Sequence, residues 1–296
     1  MTGLSQEFQA HLQSGATTVA RAWWIARSDG HEFGFTDHDR PLRFAGRAFS
    51  ANPGLSAQAL EQVSGLAVDN TQALGVLSDT AISAADIKAG RYDNTRVKAW
   101  LVNWADPRQH ALLFHGTLGE VRCVDGVFYA ELRGLSEALN RPMGRVYQKS
   151  CPAVLGDSAC GVRLDQTRYS VQYPAEAVQQ GRMFLWRALT NYADGWFRHG
   201  KLEVLDGKAA GLGGVIKRDY RSDGQRVIEL WAPIRSPIAK GDRIRLVAGC
   251  DKRLATCLAK FGNHLNFQGF PHIPGDDWMV AHPTRLEGNS GESLRR

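Results

Sequence analysis

The sequence contains no long hydrophobic run. Charged or polar residues interrupt every apolar stretch of the 296-residue chain, so none approaches the roughly 20 consecutive apolar residues of a membrane-spanning helix. The opening residues, MTGLSQEFQAHLQSGATTVAR, also lack the apolar core and the cleavage site of a secretory signal. We therefore expect a soluble protein without a membrane-spanning segment, made in a reducing cytoplasm.

Motifs of common enzyme classes are absent as well. The chain has no G-x-S-x-G elbow, no H-E-x-x-H pair and no G-x-G-x-x-G at a strand-to-helix junction. The cluster Thr36–Arg40 offers two carboxylates and an imidazole, but a polar turn or a hydrogen-bonded strand end explains it more simply than a hydrolytic site. Gly211–Gly214 does not match the phosphate-loop pattern and predicts a hairpin turn. We expect no catalytic residues.

Concentrated positive charge is also missing. The formal net charge is +6 and the pI is about 9.2, but basic residues are scattered among acidic ones, with no Lys/Arg-rich run before Arg295 and Arg296. Because the chain has neither a basic patch nor a recognition module, sequence-specific binding of nucleic acid is not indicated.

Cysteine is scarce, and its placement is the most informative feature of the chain. Four of the five cysteines form two spaced pairs, Cys151-x8-Cys160 and Cys250-x6-Cys257. Four thiolates gathered from two loops are the donor set of a zinc or iron-sulfur centre. Two disulfides or four unrelated buried thiols would use the same residues, but a reducing compartment favours metal. Neither pair is a C-x2-C knuckle, so the spacing does not name the metal.

Three further residues bear on this site. His264 and His272 lie near Cys257 in the sequence and are candidate zinc ligands or hydrogen-bond donors to the ligands, although surface or packing roles are more common for such histidines. The fifth cysteine, Cys123, is most simply a small core or edge residue.

Residues 1–140 predict an N-terminal, mainly β domain. The apolar residues of the first 14 positions have helical spacing and predict a short opening helix. From residue 17 short β-type runs follow, separated by turn residues as in consecutive hairpins. A small helix is predicted between a cap at Ser83 and an end near Gly90.

Residues 141–280 predict a second β-rich domain. Its short strands are divided by Asp-Gly and Gly-Gly turns, and one cysteine pair precedes them while the other follows. A shared metal would therefore clamp the first and last elements together and close a loop of roughly a hundred residues. Residues 281–296 predict a flexible C-terminal tail. We interpret four tryptophans in predicted strands as core residues: Trp23, Trp24, Trp196 and Trp231.

The predicted fold class is thus mainly β, with two β-rich domains and short helices. The C-terminal domain is expected to be stapled by a four-cysteine metal or iron-sulfur site.

The run from Gly249 to Pro271, G-C-D-K-R-x-x-T-C-x-x-K-F-x-N-x-x-N-F-x-G-F-P, resembles the C-terminal signature of a phage tail-hub family. That family is found in gene transfer agents and prophages of alphaproteobacteria. The likeness covers essentially the whole chain. Its other parts are Cys151-Pro152, Gly156-Asp157, Cys160-Gly161, Thr36-Asp37-His38-Asp39 and Trp196-Phe197 with the glycine that follows.

The resemblance implies a structural hub protein without enzymatic turnover, related to the tail-tip protein L of lambda-like phages. In that relative the C-terminal domain carries an iron-sulfur cluster held by four cysteines. Carried over, the resemblance implies that a [4Fe-4S] cluster, or alternatively zinc, is bound by Cys151, Cys160, Cys250 and Cys257.

The same resemblance implies partners and a location. The protein would be made in the bacterial cytoplasm and become part of the tail of an extracellular phage-like particle. Three copies would form a ring at the distal end of the tail tube, linking it to the distal tail protein and to the central baseplate protein. DNA would pass through the channel of this ring without sequence-specific binding.

Two other function classes use the same four cysteines: a redox or zinc-dependent enzyme, and a zinc-stapled adaptor. An enzyme would need a substrate pocket with convergent acid-base groups near the cysteines. The sequence offers only His264 and Asp251 there. We therefore expect a baseplate hub rather than an enzyme.

Overall fold

The computed structural model describes residues 4–51, 70–76, 83–124, 127–134, 144 and 146–273, with the backbone alone at 70–76, 122–124 and 127–129. The chain divides into two compact units, one formed by residues 1–143 with Ile234–Pro237 and the other by residues 144–233 with 238–296. The sequence-based domain boundaries, after residues 140 and 280, stay predictions. The predicted tail, 281–296, lies outside the described residues.

The first unit contains an eight-stranded sheet and two short helices among the residues described. Its elements are α1 (Gln6–Gln13), β1 (Val19–Ala26), β2 (Glu32–Thr36), β3 (Leu42–Phe44), β4 (Arg47–Ala51), β5 (Asn70–Val76), α2 (Ala84–Lys88), β6 (Arg96–Asn103), β7 (His110–Val124) and β8 (Val127–Gly134). The strand order is β3-β4-β2-β1-β6-β7-β8-β5. The pair β2–β4 is parallel. The predicted run of consecutive hairpins is therefore wrong at this point, because β4 rather than β3 lies beside β2.

Strand β1 lies in the middle of this sheet and is buried on both faces. Its sequence, VARAWWIA, is rich in aromatic and β-branched residues, which favour strands. Side chains alternate between the faces of a strand, so Trp23 and Ile25 join one cluster of buried residues while Ala22 and Trp24 join another. The prediction that Trp23 and Trp24 are core residues is confirmed.

Helix α2 begins where the sequence predicts. The Ser83 side chain accepts a hydrogen bond from the backbone N–H of Asp86 at 3.0 Å, and Gly90, with φ of 75°, lies just past the end of the helix. The buried guanidinium of Arg27 attaches the helix to the sheet, because it pairs with Asp86 at 3.1 Å and also with Asp29.

The second unit contains a seven-stranded antiparallel sheet. Its elements are β9 (Ser170–Pro174), β10 (Ala177–Gln179), β11 (Met183–Trp186), β12 (Lys201–Val204), β13 (Gly213–Ser222), β14 (Gln225–Leu230), β15 (Arg243–Val247) and α3 (Leu254–Thr256), followed by a π-helical turn (Cys257–Phe261) and a 3-10 turn (His264–Asn266). The strand order is β10-β11-β14-β13-β12-β15-β9. The prediction of a mainly β protein with short helices is confirmed. No described helix is long and apolar enough to cross a membrane.

Two tryptophans of the second unit lie outside strands. Trp196 is in a turn before β12, and Trp231 follows β14 with 59% of its surface exposed. The sequence-based placement of both in strands is wrong, and Trp231 is not a core residue. The Asp-Gly turn between β13 and β14 is confirmed: Asp223 and Gly224 both have positive φ, 49° and 72°, as a tight hairpin requires.

A buried ion pair holds the Trp196 turn against the sheet. The Arg226 guanidinium donates two hydrogen bonds to the Asp219 carboxylate, each of 2.7 Å, and both side chains are almost fully buried. It also donates to the carbonyls of Tyr192 and Ala193 at 2.8 Å. Asp219 accepts a further bond, at 2.7 Å, from the backbone N–H of Phe197. Because its charges are paired and hydrogen-bonded, this pair can lie inside a β core.

We predict that Arg226→Met destabilises the second unit by roughly 3–5 kcal/mol, because it leaves the Asp219 carboxylate buried without its partner. Hydrogen exchange read by mass spectrometry should then be at least about a hundredfold faster in peptides of β13 and β14. The control is Arg243→Met, which removes an exposed pair with Asp206 and should leave exchange in β13 and β14 near native, because exposed ion pairs contribute little to stability. Equal effects of the two variants on exchange would contradict the structural role given to the buried Arg226–Asp219 pair.

Candidate metal centre

The pairing of β9 with β15 determines where the two cysteine loops meet. Ser170 at the start of β9 is opposite Val247 at the end of β15. The pairing extends one step further, because the N–H of Ala248 donates to the carbonyl of Tyr169 at 2.7 Å. The chain therefore enters β9 and leaves β15 at the same end of the sheet, and both cysteine loops connect to that end.

All four predicted ligands line one small pocket of the second unit: Cys151, Cys160, Cys250 and Cys257. The rest of the lining is mainly apolar, with two amides and one lysine, and consists of Ala153, Leu155, Val162, Lys252, Phe261, Asn263, Asn266 and Phe267. The four thiols are free, and Cys257 is buried. The structure thus contradicts the disulfide alternative and brings together two cysteine pairs that lie about a hundred positions apart in the sequence.

The loop that carries the first cysteine pair is shaped by Asp157. The Asp157 carboxylate accepts hydrogen bonds from the backbone N–H groups of Val154, at 2.8 Å, and Cys160, at 2.7 Å. These bonds lower the pKa of Asp157, the bond from Cys160 contributing most. Gly156 and Gly161 have φ of 85° and 70°, a backbone conformation that glycine adopts without strain. The loop therefore returns on itself and presents both cysteines to one pocket.

The second cysteine pair comes directly after a point where two backbone segments approach each other closely. A Cβ on Gly249 would lie 1.8 Å from the carbonyl oxygen of Arg198, so only glycine fits before Cys250. After Cys250, the Asp251 carboxylate accepts hydrogen bonds from the N–H of Arg253, at 3.0 Å, and the hydroxyl of Thr256, at 2.9 Å. These bonds hold the start of α3, which leads into Cys257. Asp251 therefore has a structural role, and it does not line the cysteine pocket.

Direct hydrogen bonds join the two loops. The backbone N–H of Cys151 donates to the carbonyl of Lys252 at 2.9 Å. The Asn263 side-chain amide donates to the carbonyl of Cys160 and lies 3.7 Å from the Cys160 sulfur. The loops are thus held in register by polar contacts as well as by the sheet.

Burial raises the pKa of the Cys250 and Cys257 thiols, and the neighbouring cysteines add to this effect. Both thiols are therefore protonated at neutral pH when no metal is bound. A metal ligand must be a thiolate, so binding would release protons and would require positive charge to offset the sulfurs.

A half-buried cation lies beside this pocket. The Lys260 ammonium donates to the carbonyls of Gly249, at 2.8 Å, and Trp196, and it lies 4.5 Å from the centre of the Trp196 ring. Burial lowers the pKa of Lys260 to about 8, while Cys250 and nearby carboxylates act in the opposite direction. This lysine connects the Trp196 turn to the residue before Cys250.

The donor set fits a group that prefers sulfur. Four thiols line the pocket and no carboxylate does, which matches the preference of zinc and iron-sulfur clusters for thiolates. Within the described ranges, however, no three His, Cys, Asp or Glu side chains lie close enough together to hold a single metal ion. A metal site is therefore not shown by the structure, and the ligand assignment stays a prediction.

The other predicted site residues lie elsewhere. His264 and His272 are exposed and do not line the cysteine pocket. In the first unit, Thr36 ends β2, and Asp37 accepts a hydrogen bond from the N–H of Arg21 at 2.7 Å. The His38 ring packs on Trp104, with 5.0 Å between ring centres. The interpretation of this cluster as a hydrogen-bonded strand end is confirmed.

Sequence reasoning did not single out the polar residues that hold the two cysteine loops together. Lys252, Lys260 and Asn263 all stand in the C-terminal signature, and Asp157 stands in the upstream half. Their spacing relative to the cysteines was the available signal. Nothing in the sequence indicated that Arg226 and Asp219 would pair beneath the Trp196 turn.

The fold and the thiol-lined pocket define a two-unit β protein in which no catalytic constellation surrounds the cysteines among the residues described. Residues 5–163 match the family model described as "Baseplate hub protein, N-terminal attachment domain". Residues 195–277 match the model described as "Phage conserved hypothetical protein BR0599". No curated protein matches the chain in a sequence comparison.

A solved structure supports the same assignment. A chain of the structure titled "Virion of native gene transfer agent (GTA) particle" is 50% identical, with a TM-score of 0.87, and the match covers 98% of this chain and 99% of that chain. The protein belongs to the baseplate hub family of phage-like particles. The predicted resemblance is confirmed, as is the prediction of a structural protein rather than an enzyme.

We predict that Asp157→Ala lowers the melting temperature of the second unit at neutral pH. The pKa of Asp157 is lowered on folding from its ordinary value of 3.8, so its stabilisation is present above that pH and is lost as pH falls through the folded-state pKa. In calorimetry, the difference from the native protein should shrink below about pH 4. The control is Asp165→Ala, which removes an exposed carboxylate paired with Arg163 at 3.4 Å. A difference that does not depend on pH would contradict the role of Asp157.

Proposed function

We propose that the protein is the trimeric hub of a tail baseplate, in which a cysteine-bound iron-sulfur cluster clamps the second unit. The observation that carries the cluster is the convergence of all four thiols on one pocket. The trimer and the position in the tail rest on the family and on the 50% identical chain of a gene transfer agent virion.

The two units provide separate contacts for the assembly. Each has its own sheet and its own buried core, so each can bind a neighbour while keeping its fold. The matched family description names an attachment domain, and its match covers most of the first unit and the start of the second. We assign the distal tail protein and the central baseplate protein as the partners. DNA leaving the particle would pass through the ring without being read, since the basic residues are scattered along the chain.

The cluster would act as a staple, with Cys151, Cys160, Cys250 and Cys257 as its ligands. When bound, it supplies four iron-thiolate bonds that tie the loop before β9 to the loop after β15. Such a link restricts a long segment of the unfolded chain, which stabilises the folded unit by up to roughly 4 kcal/mol in the chain-entropy model of a cross-link. Zinc with the same four ligands is the alternative.

Anaerobic purification tests this proposal. We expect a brown protein with about four irons and four inorganic sulfides per chain. With the distal tail protein present, light scattering should give the mass of a complex that contains three copies of this chain. A content of about one zinc per chain, without iron, would show that the centre binds zinc rather than a cluster. A protein without either metal would contradict the centre, and a hub that stays monomeric with its partner would contradict the ring.

Substitution of a ligand should affect one unit only. We predict that Cys250→Ser or Cys151→Ser lowers the melting temperature of the second unit and speeds hydrogen exchange in β9 and β15, because the staple is lost. Exchange in β1 and β6 of the first unit should be unchanged. Cys123→Ser, which alters the cysteine outside the ligand set, serves as the control. Native melting in both ligand variants would contradict the clamp.

A further inference from the structure

Lys252 connects the two cysteine loops through its carbonyl and its ammonium, and its backbone N–H contacts Cys250 within its own loop. Its backbone N–H donates to the sulfur of Cys250 at 3.4 Å, and its carbonyl accepts from the N–H of Cys151 at 2.9 Å. Its ammonium donates to the carbonyl of Ala153. These contacts require a left-handed backbone, with φ of 67°, which is uncommon for a residue with a long side chain. Strain of this kind persists only where surrounding contacts impose it.

Lys260 supplies a second cation near Cys250. Its ammonium is fixed by the carbonyls of Gly249 and Trp196, and it is electrostatically coupled to Cys250. Neither carbonyl carries a formal charge. The two carboxylates that act on Lys260 electrostatically are Asp219, already paired with Arg226, and Asp251, whose oxygens accept other hydrogen bonds.

The charge that Lys252 and Lys260 face depends on what the cysteines bind. Four thiolates on a [4Fe-4S] core, or on a zinc ion, form a centre with net negative charge. Burying such a centre is costly unless opposite charges lie close to it. Lys252 lines the cysteine pocket itself, and Lys260 lies behind Cys250. Hydrogen bonds to the sulfurs from the N–H of Lys252 and the amide of Asn263 act in the same direction.

We infer that Lys252 and Lys260 balance the charge of the four-cysteine centre, setting its affinity for metal and, with an iron-sulfur cluster bound, raising its reduction potential. This inference rests on the proposed function. The two lysines are positioning and charge-compensating residues and do not bind the metal. A nearby cation favours the more negative, reduced form of a cluster, so its removal should shift the potential to more negative values.

The test uses full-length protein purified anaerobically, with Lys252 or Lys260 changed to Met, Gln or Arg. Gln keeps an N–H donor for the carbonyls without the charge, and Arg keeps both. The control is Lys217→Met, which removes a half-buried lysine paired with Glu229 at 3.1 Å. We would measure the rate of metal loss to a chelator and, for a cluster, the potential for adding one electron in a mediated titration with dithionite as the reductant.

We expect the Met and Gln variants to lose metal at least tenfold faster than the native protein, whereas the Arg variants and Lys217→Met stay near native. For a cluster, the Met and Gln variants should have a potential more negative by about 59 mV, the equivalent of a tenfold change for one electron. If Gln restores native behaviour as well as Arg does, the lysines act only as tethers and the charge assignment is wrong. Native metal loss and potential in every variant would also overturn it, while leaving the centre itself intact. A native protein with neither iron nor zinc would overturn both the centre and this inference.

Discussion

The antiparallel pairing of β9 with β15 is the constraint on which the candidate centre depends. These are the first and last strands of the second unit, and the register that places Ser170 opposite Val247 fixes where the chain enters and leaves the sheet. A slip of one residue would turn every side chain of β15 to the other face and expose Ile244 and Leu246, which are fully buried. The same hydrophobic pattern that seals the core therefore brings the two cysteine loops to one place.

Polar contacts hold the two cysteine loops in place beyond the end of the sheet, because the loops themselves bury few apolar side chains. The carboxylates of Asp157 and Asp251 shape the two loops by accepting local hydrogen bonds. Lys260 connects the second loop to the Trp196 turn, and the Arg226 pair holds that turn on the sheet. An individual neutral hydrogen bond contributes only about 1 kcal/mol to the stability of the fold, so the position of the loops depends on all of these contacts together. A metal centre at its end would add bonds that are much stronger than any of these.

The sequence predicted the elements better than their arrangement. Alternating apolar residues and Asp-Gly turns located β11 to β15, and the Ser83 cap located α2, because these signals are local. The parallel pair β2–β4 was not predicted, since strand order depends on packing between distant segments. Trp196 was placed in a strand because its hydrophobicity resembles that of a core residue, whereas the buried charge of Arg226 holds it in a turn. For the candidate site, residue type and spacing picked out the four cysteines; the lysines stand at fixed spacings from them, but what the lysines contact became visible only in the structure.

The four thiols of the candidate centre are divided between the two regions that match family models. One family match ends at residue 163, just after Cys160, and the other begins at residue 195 and includes Cys250 and Cys257. Each matched region therefore contains two of the four pocket thiols, and two thiols cannot complete the coordination of zinc or of a cluster. The pairing of β9 with β15, together with the hydrogen bonds between the two cysteine loops, joins the halves. Since a cross-link restrains most where it closes a long loop, the proposed centre would hold the two ends of this β unit together without a larger hydrophobic core.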